Sequence, residues 1–415
     1  MKYKFISIFT LITLLLNYRF VFANIDETES VDLNQIKEDI IQTSSNTNEI
    51  PTINSRSAIV FDRTSKTILF GKEENNIRKM ASTTKIMTAI IVIEKSNLYD
   101  TVVVSKKAAS TGGSTLGIKE GDKITICDLL YGLLLKSGND AAVALAETVG
   151  GSIEGFAEMM NKKAQELSLI NTHFVTPHGL DNDGHYTTAY ELALLTDYAL
   201  NNKTFYNFVN TKNYTITING TPKSISNTNE LLGNLNGVYG VKTGFTNGAN
   251  RCLVTACKRD NLDIICIVLG ADTKKFRTQD SIKLIDYTFK NYTMVDIEQI
   301  VKRFFDEWKI KILPNISIAK GVSNTLELEL QNFNYILYPV KTDYVDSITT
   351  SINFNYNLTA PIKDGTVLGE ISLKIDDKNV LKYNIVNINN IRKKSIFNYF
   401  YEFTSNFFNY LTIKD

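Results

Sequence analysis

The sequence predicts an α+β fold, in which helices pack on an antiparallel sheet, followed by a small all-β domain and a C-terminal amphipathic helix. Three features indicate this arrangement: β-prone runs open the first domain, apolar helical repeats fill its middle, and two further β-prone runs close it. Strands from both ends of one domain can pair in a single sheet while the intervening helices cover that sheet.

The strand predictions depend on two pairs of short β-prone runs. The opening pair, 58–61 and 67–70, is separated by polar residues and predicts a hairpin. The closing pair, 251–257 and 263–269, flanks another polar turn and predicts a second antiparallel pair. We expect both pairs to belong to the same sheet.

The helix predictions depend on apolar residues spaced three and four apart. One helix begins near Ser82, and another follows a capping-box pattern at 125–128. A last helix over 280–289 closes the domain. These helices lie between the two pairs of strands or directly after them, as an α+β domain requires.

Composition divides the chain into five predicted segments. Two lysines, an apolar run and small residues predict a secretory signal peptide. A retained membrane anchor is the alternative, although the apolar run is short for a bilayer span. The predicted segments are a signal peptide at 1–23, a flexible polar lead-in at 24–51, an α+β domain at 52–292, a small β domain at 293–388 and a membrane-associating tail at 389–415.

The tail repeats apolar residues at helical spacing after a basic cluster at 392–394. This pattern predicts an amphipathic helix lying on a membrane surface, which would hold the exported protein on the outer face of the cytoplasmic membrane. The alternative is a helix that docks on the β domain of the same chain. The apolar residues are Ile396, Phe400, Phe403, Phe407 and Leu411.

Charge and cysteine content narrow the functional classes. A net charge of +1 over 415 residues gives no support for nucleic-acid binding. The four cysteines, Cys127, Cys252, Cys257 and Cys266, are an even number, which in exported chains often means disulfides. We favour free thiols, because these positions lie in strands or a helix where cysteine acts as a small apolar residue.

Three short motifs carry the residue types that nucleophilic acyl transfer needs. Ser82-Thr-Thr-Lys85 places a hydroxyl and an amine one helical turn apart, so a lysine kept neutral by burial can take the serine proton. Ser137-Gly-Asn139 lies between two predicted helices, where the serine can relay a proton and the asparagine can hold an amide.

The third motif, Lys242-Thr243-Gly244, lies on a predicted strand, and its glycine lets a ligand approach the strand edge. Its lysine and threonine can bind a carboxylate. Taken singly, the three motifs are equally typical of a solvated helix face, a helix-capping turn and an exposed strand. Their order on a helix, a turn and a strand makes chance a poor explanation.

With these motifs in this order, the chain resembles the penicillin-binding protein and serine β-lactamase superfamily, and within it the low-molecular-weight D-Ala-D-Ala carboxypeptidases. Segments 81–89, 136–142, 176–180, 184–189 and 360–365 are also similar to that family. The resemblance implies a β-lactamase/transpeptidase-like fold and removal of the terminal D-alanine from peptidoglycan stem peptides. It further implies covalent binding of β-lactams, with no cofactor and no metal.

The resemblance implies a role for each motif residue. Ser82 attacks the carbonyl of the penultimate D-alanine, and Lys85 accepts the proton of the Ser82 hydroxyl. Ser137 acts on the leaving amine. The backbone N–H groups of Ser82 and Phe245 would form the oxyanion hole. Arg277 resembles a second carboxylate-binding position, although a solvated surface arginine is the alternative. The implied substrate-binding positions are Asn139, Lys242, Thr243, Gly244, Phe245 and Arg277.

Two other enzyme classes compete with this interpretation. The best-known serine β-lactamases deacylate with a glutamate in Glu-x-x-Leu-Asn; here Asp197 takes the glutamate position, and we interpret it as a surface residue of a helix. A zinc hydrolase would use the histidines of the 173–185 segment, but this segment has the composition of a loop. We interpret the three histidines, His173, His178 and His185, as bracing that loop.

A non-catalytic β-lactam sensor and a transpeptidase share the same superfamily. The intact residues Ser82, Lys85, Ser137 and Lys242 count against a sensor. A transpeptidase differs only in the acceptor of the acyl group. The partners expected from the sequence are therefore a stem peptide ending in D-Ala-D-Ala, β-lactam antibiotics and a membrane surface.

Overall fold

The computed structural model describes residues 31–43, 49–333 and 337–412. The predicted signal peptide lies outside these residues. The chain divides into two compact units, Met1–Lys290 and Asn291–Asp415. Within the described ranges, no helix combines the length and the apolar character needed to cross a membrane.

The first unit contains strands β1 to β9 and helices α1 to α9. The strands are β1 (Ser57–Asp62), β2 (Ile68–Lys72), β3 (Thr101–Val103), β4 (Lys123–Thr125), β5 (Asn213–Ile218), β6 (Thr221–Ser226), β7 (Val238–Thr246), β8 (Asn250–Arg259) and β9 (Leu262–Ala271). The helices are α1 (Leu33–Thr43), α2 (Lys85–Lys95), α3 (Lys106–Ala109), α4 (Ile126–Leu134), α5 (Asn139–Gly150), α6 (Ile153–Glu166), α7 (Ala189–Asn201), α8 (Lys203–Val209) and α9 (Lys274–Asn291).

A five-stranded antiparallel sheet in the order β2-β1-β9-β8-β7 forms the scaffold of this unit. Strand β1 pairs with β9, with Ala58 opposite Val268, so the two ends of the unit meet in one sheet. The prediction of an α+β fold with this antiparallel sheet is confirmed. Strand β7, which carries the Lys-Thr-Gly motif, occupies one edge.

Helix α2 runs through the interior of the unit. Its residues from Lys85 to Val92 are all buried, as expected for a helix with few polar positions surrounded by other elements. Helix α4 begins where the Thr125 hydroxyl accepts a hydrogen bond from the Asp128 backbone N–H, as the capping pattern predicts. The two predicted hairpins are observed as β1–β2 and β8–β9.

The second unit is built around a four-stranded antiparallel sheet in the order β12-β17-β16-β14. Two smaller pairs, β10–β13 and β11–β15, flank it. The elements are β10 (Tyr292–Asp296), α10 (Ile297–Ile312), β11 (Ile318–Ala319), β12 (Leu328–Leu330), β13 (Leu337–Lys341), β14 (Thr349–Phe354), β15 (Leu358–Thr359), β16 (Val367–Ile375), β17 (Lys378–Asn387) and α11 (Ile396–Thr412).

Three helices differ from the sequence predictions. Within the predicted flexible lead-in, residues 33–43 form α1, with Ile36 buried and Asp39 paired with Lys275 at 2.8 Å, so the prediction of a segment without a fold is wrong there. Helix α10 lies in the domain predicted as all-β and buries one apolar stripe in its core. Helix α9 begins six residues before the predicted start at 280. The sequence did not indicate this start, because the first turns of the helix bury polar side chains instead of apolar ones.

All four cysteines are free thiols, as we favoured. Cys252, Cys257 and Cys266 are buried in strands, and burial raises the pKa of the Cys257 thiol to about 12. The Cys257 thiol is therefore protonated and acts as an apolar residue of the sheet.

Candidate active site

Ser82 lies on the tight turn that leads into helix α2. Residues Ala81–Thr84 form a 3₁₀ turn, and Lys85 begins the α-helix directly after it. The distance between Lys85 Nζ and Ser82 Oγ is 2.9 Å, which is hydrogen-bond contact. The structure therefore brings together the serine and the lysine of the first motif.

The Lys85 amine is fully buried and contacts two further oxygen atoms. It lies 2.7 Å from Asn139 Oδ1 and 2.8 Å from the carbonyl oxygen of His178. Burial, and then the positive charge of Lys242, lower the pKa of Lys85 well below its usual value. A neutral amine has two N–H groups, which suffice for these two oxygens, and its lone pair is then available to the Ser82 hydroxyl. Lys85 is thus placed to take the serine proton.

Ser137 connects the second motif to the third. It lies between α4 and α5 in a left-handed conformation, with φ of 61°, and its Oγ accepts a hydrogen bond from Lys242 Nζ at 2.9 Å. Asn139, the first residue of α5, binds Lys85 and donates to the Gly112 carbonyl at 2.8 Å. The turn between these helices therefore contacts both buried lysines.

Strand β7 presents the third motif beside the nucleophile. Lys242 is 1% and Thr243 4% exposed, so this strand edge is not the solvated strand of the alternative interpretation. The Thr243 hydroxyl lies 2.8 Å from that of Thr228. A Cβ on Gly244 would lie 3.1 Å from the Ser82 backbone nitrogen, so this glycine permits β7 to pack closely against the nucleophile's turn.

The three motifs surround one cavity of about 250 Å³. Among the described residues that line it, every charged side chain is a lysine, which suits a substrate with a carboxylate. The Phe245 ring, packed under the Arg251 guanidinium, contributes to its wall. Lining residues from the sequence predictions are Ser82, Ser137, Thr243, Gly244 and Phe245; Lys136 and Lys274 were not singled out.

Arg277 is fully buried, so its interpretation as a solvated surface arginine is wrong. Its guanidinium donates to Glu230, which also accepts a hydrogen bond from the Thr278 hydroxyl. Burial raises the pKa of Glu230. The charge of Arg277 and these hydrogen bonds lower it by more, so the pKa of Glu230 lies below its ordinary value. Arg277 thus binds a carboxylate of the protein here, and its contact with a substrate stays a prediction.

Sequence reasoning missed the role of Asp140. Its buried carboxylate accepts hydrogen bonds from the backbone N–H groups of Leu116, Gly117 and Ile118, at 2.8, 2.7 and 3.2 Å. These bonds hold the loop whose Gly112 carbonyl binds Asn139. The only local signal was an acid in the first turn of a helix, which ordinarily indicates a favourable interaction with the helix dipole.

The histidines contact the protein in ways that give a zinc site no support. His185 uses both ring nitrogens, with Thr84 Oγ1 at 2.7 Å and the Val175 N–H at 3.0 Å. His178 Nδ1 accepts from the Leu180 N–H at 3.2 Å. In the described ranges, no group of three histidine, cysteine or acidic side chains is arranged to hold a metal ion.

Asp197 is buried, so its interpretation as a surface residue is wrong. Its carboxylate pairs with Arg63 at 3.1 Å and with Lys66 at 2.5 Å, two residues that belong to the β1–β2 hairpin region. Both carboxylate oxygens are therefore engaged in fastening helix α7 to the sheet. This use of Asp197 differs from that of a deacylating acid facing Ser82.

The arrangement defines a serine acyl-transfer enzyme. The Ser82 hydroxyl contacts a buried lysine whose pKa is lowered, a second serine on the wall of the same cavity accepts a hydrogen bond from a second buried lysine, and a glycine-bearing strand passes beside the Ser82 backbone N–H.

Comparison with known proteins identifies the family. Residues 43–273 match the D-alanyl-D-alanine carboxypeptidase family, and residues 311–393 match the penicillin-binding protein 5 C-terminal domain. D-alanyl-D-alanine carboxypeptidase DacF of Bacillus subtilis is 35% identical over 78% of this chain and 82% of its own length. DacD of Escherichia coli is 33% identical over 84% of this chain and 89% of its own length.

Solved structures agree with this assignment. Penicillin-binding protein 5 from Haemophilus influenzae superposes with a TM-score of 0.67 and 26% identity, over 83% of this chain and 99% of that one. The Streptomyces K15 DD-transpeptidase superposes with a TM-score of 0.56 and 35% identity, over 58% of this chain and 99% of that one. The chain therefore belongs to the D-alanyl-D-alanine carboxypeptidase family of low-molecular-weight penicillin-binding proteins, and the resemblance seen in the sequence is confirmed.

Proposed function

We propose that the protein is a serine-type carboxypeptidase that removes the terminal D-alanine from peptidoglycan stem peptides. The observation that carries this proposal is the 2.9 Å contact between Ser82 and the buried Lys85, in a cavity whose charged lining residues are lysines. The family and its named carboxypeptidase relatives support the same substrate class. Export past the cytoplasmic membrane, where peptidoglycan is found, belongs to the same proposal.

The first half of the reaction forms an acyl-enzyme. Ser82 Oγ attacks the carbonyl carbon of the penultimate D-alanine while Lys85 takes the hydroxyl proton. The C–N bond of the terminal peptide breaks, and the proton that Lys85 took passes to the leaving amine through Ser137, which contacts Lys242, so that Lys85 is neutral again. Lys242 and Thr243 would bind the terminal carboxylate. The products are free D-alanine and an ester on Ser82.

The second half hydrolyses that ester. Water attacks the ester carbonyl and its proton passes to Lys85. The bond to Ser82 Oγ then breaks as Lys85 returns that proton to Ser82 Oγ, which restores the serine and the neutral lysine and releases the shortened peptide. A β-lactam presents a strained amide to the same serine, and its ring nitrogen stays tethered after acylation. We therefore expect β-lactams to acylate Ser82 and to leave slowly.

The test follows D-alanine release from a peptide ending in D-Ala-D-Ala, with and without a chelator, and records the mass added by a labelled penicillin. We expect release that the chelator does not change, and one penicillin adduct on Ser82. Release that stops with the chelator would contradict the serine mechanism. An adduct without release would indicate a sensor, or a transpeptidase if an added amine acceptor is acylated instead; rapid loss of the adduct would indicate a β-lactamase.

We also propose that helix α11 holds the protein on a membrane surface. Phe397, Phe400, Phe403 and Phe407 are 52–80% exposed, so these rings are not packed on the protein's own domain. The helix follows the basic cluster at 392–394, which suits anionic lipid headgroups. The side chain of Leu411, also predicted on this face, lies outside the described residues.

Replacing Phe400, Phe403 and Phe407 with serine is expected to abolish binding to anionic lipid vesicles, because it removes three exposed apolar side chains from one helix. Co-sedimentation measures the bound fraction, and D-alanine release from a soluble peptide is expected to stay unchanged. The matched control replaces three other exposed apolar residues, Tyr99, Val103 and Ile170, and should bind like the parent. Equal binding by the helix variant and the parent would contradict a role for α11.

A further inference from the structure

Ala81, the residue before the nucleophile, has an unusual backbone conformation. Its φ is 48°, in the left-handed region that residues other than glycine rarely adopt. Such a conformation persists only where neighbouring groups hold it in place. The Ala81 carbonyl accepts a buried hydrogen bond from the Thr84 hydroxyl at 2.7 Å, within the same turn.

His185 continues this hydrogen-bond chain from another part of the fold. Its Nδ1 accepts the Val175 N–H, so the proton of the neutral ring is on Nε2, 2.7 Å from the Thr84 hydroxyl. The Thr84 hydrogen is directed at the Ala81 carbonyl, and the His185 proton therefore reaches the Thr84 oxygen. Burial, above all, lowers the pKa of His185 to about 4, which keeps the ring neutral near pH 7.

The loop between Pro177 and His185 also packs directly on the nucleophile's turn. Gly179 has a φ of 83°, and a Cβ there would lie 2.0 Å from the Ala81 oxygen and 2.5 Å from Thr84 Oγ1. The neighbouring His178 carbonyl binds the Lys85 amine. The loop therefore leaves no room for the Ala81 carbonyl to rotate toward Gly179. His185 supplies the hydrogen bond that fixes the Thr84 hydroxyl, which is the partner of that carbonyl.

We infer that His185 is a positioning residue for Ser82, which acts through Thr84 to hold the Ala81 carbonyl and the left-handed turn. This turn sets the Ser82 hydroxyl beside Lys85 and the Ser82 backbone N–H beside strand β7. His185 lies behind the turn, outside the lining of the cavity, so it acts on the nucleophile rather than on the substrate. The inference rests on the proposed serine mechanism, because its effect is defined on the acylation of Ser82.

The expected signature is a loss of rate without a loss of binding. The groups proposed to hold the substrate carboxylate, Lys242 and Thr243, lie on β7 and do not depend on Thr84. A displacement of the nucleophile by a fraction of an ångström to one ångström costs about 10- to 100-fold in rate. We therefore expect kcat and the rate of penicillin acylation to fall together, with KM unchanged.

The experiment compares His185→Leu with His185→Gln. Leucine removes the N–H donor, whereas the glutamine amide can donate to Thr84 and accept from Val175, so Gln should restore most of the activity. We expect about 10- to 100-fold lower kcat and acylation rate for His185→Leu. His173→Leu is the matched control, since the His173 side chain is exposed and its Nδ1 contacts the Gly184 carbonyl rather than the turn before Ser82; this variant should behave like the parent.

Thr84→Val serves as the second variant, because it removes the hydroxyl that His185 contacts and keeps the shape of the side chain. We expect the same loss of acylation rate in Thr84→Val. A melting curve checks that this variant is folded. A folded His185→Leu protein with the parental acylation rate would overturn the inference, as would a normal acylation rate in Thr84→Val if the leucine variant fails to fold. Because penicillin acylation does not require D-alanine release, failure of the proposed carboxypeptidase activity would be seen separately.

Discussion

Replacing Ser82 with alanine is expected to reduce D-alanine release by about 10³-fold or more. The reason is that Ser82 Oγ lies 2.9 Å from the buried amine of Lys85, and the Ser82 backbone N–H lies beside strand β7. Removing the nucleophile prevents the acyl-enzyme, so its loss cannot be compensated by substrate binding. The measurement is the initial rate of D-alanine release, together with the mass added by a labelled penicillin.

The control for this prediction is Ser110→Ala. Ser110 is exposed and its hydroxyl donates to the carbonyl of Lys107, so the change keeps the chemistry of a serine-to-alanine substitution away from the cavity. We expect parental release and one penicillin adduct in the control, and neither in Ser82→Ala. A Ser82→Ala protein that still releases D-alanine would show that another group is the nucleophile.

Replacing Lys85 with methionine is expected to lower the acylation rate by about 10²- to 10⁴-fold, the contribution typical of a general base. Methionine fills a similar volume without an amine, and Lys85 is fully buried, so the packing around it is kept. The loss should therefore be one of rate. A melting curve checks that the variant is folded, and penicillin acylation measures the rate directly.

The pH dependence of the parent tests the same role. Lys85 must be neutral to act as base, so kcat/KM is expected to rise with pH as Lys85 loses its proton, at a pH well below the ordinary value for lysine. After burial, the positive charge of Lys242 is the next cause of this lowered pKa. Lys242→Met removes that charge, which raises the pKa of Lys85 and should move the rising limb to higher pH.

Two outcomes would contradict this assignment. One is a Lys85→Met protein that is acylated at the parental rate, and the other is a rising limb that moves to lower pH in Lys242→Met. Because the charges of Lys85 and Lys242 influence each other, the rising limb of the kcat/KM profile reports the pair of lysines rather than Lys85 alone. Lys66→Met is the matched control, since Lys66 pairs with Asp197 at the β1–β2 hairpin, and it should leave the pH profile unchanged.

The overall fold could be predicted because it depends on local patterns. The β-prone runs at 58–61 and 251–257 appear as strands, and the alternation of strands and helices along the chain indicates which elements can share a sheet. Helix α10 was missed because the short β-prone runs that follow it indicated an all-β domain, although its residues Ile297, Val301 and Phe305 recur every four residues, as in a helix. Helix α1 was missed because its segment is mostly polar. This helix is stabilised by packing in the folded unit, where Ile36 is buried.

The chemistry of the site could be predicted only as far as residue types and order. Ser82, Ser137 and Lys242 were named because each belongs to a short motif. Asp140 carries no such signal, and three backbone N–H groups that bind its carboxylate come from a loop more than twenty residues earlier in the chain. Arg277 was named as a carboxylate-binding position from the resemblance, with a solvated arginine as the alternative; its pairing with Glu230, which lies on another segment, could not be predicted.

The sequence by itself determined the class of the fold, the family and the three motifs, because these follow from hydrophobic periodicity and from residues close together along the chain. Only the tertiary structure decided how the motifs act on one another. The lowered pKa of Lys85 requires burial and a lysine from another strand, and the strained turn before Ser82 requires a histidine and a glycine about 100 residues away along the chain. Such effects arise from distance and dielectric environment, which no local pattern specifies.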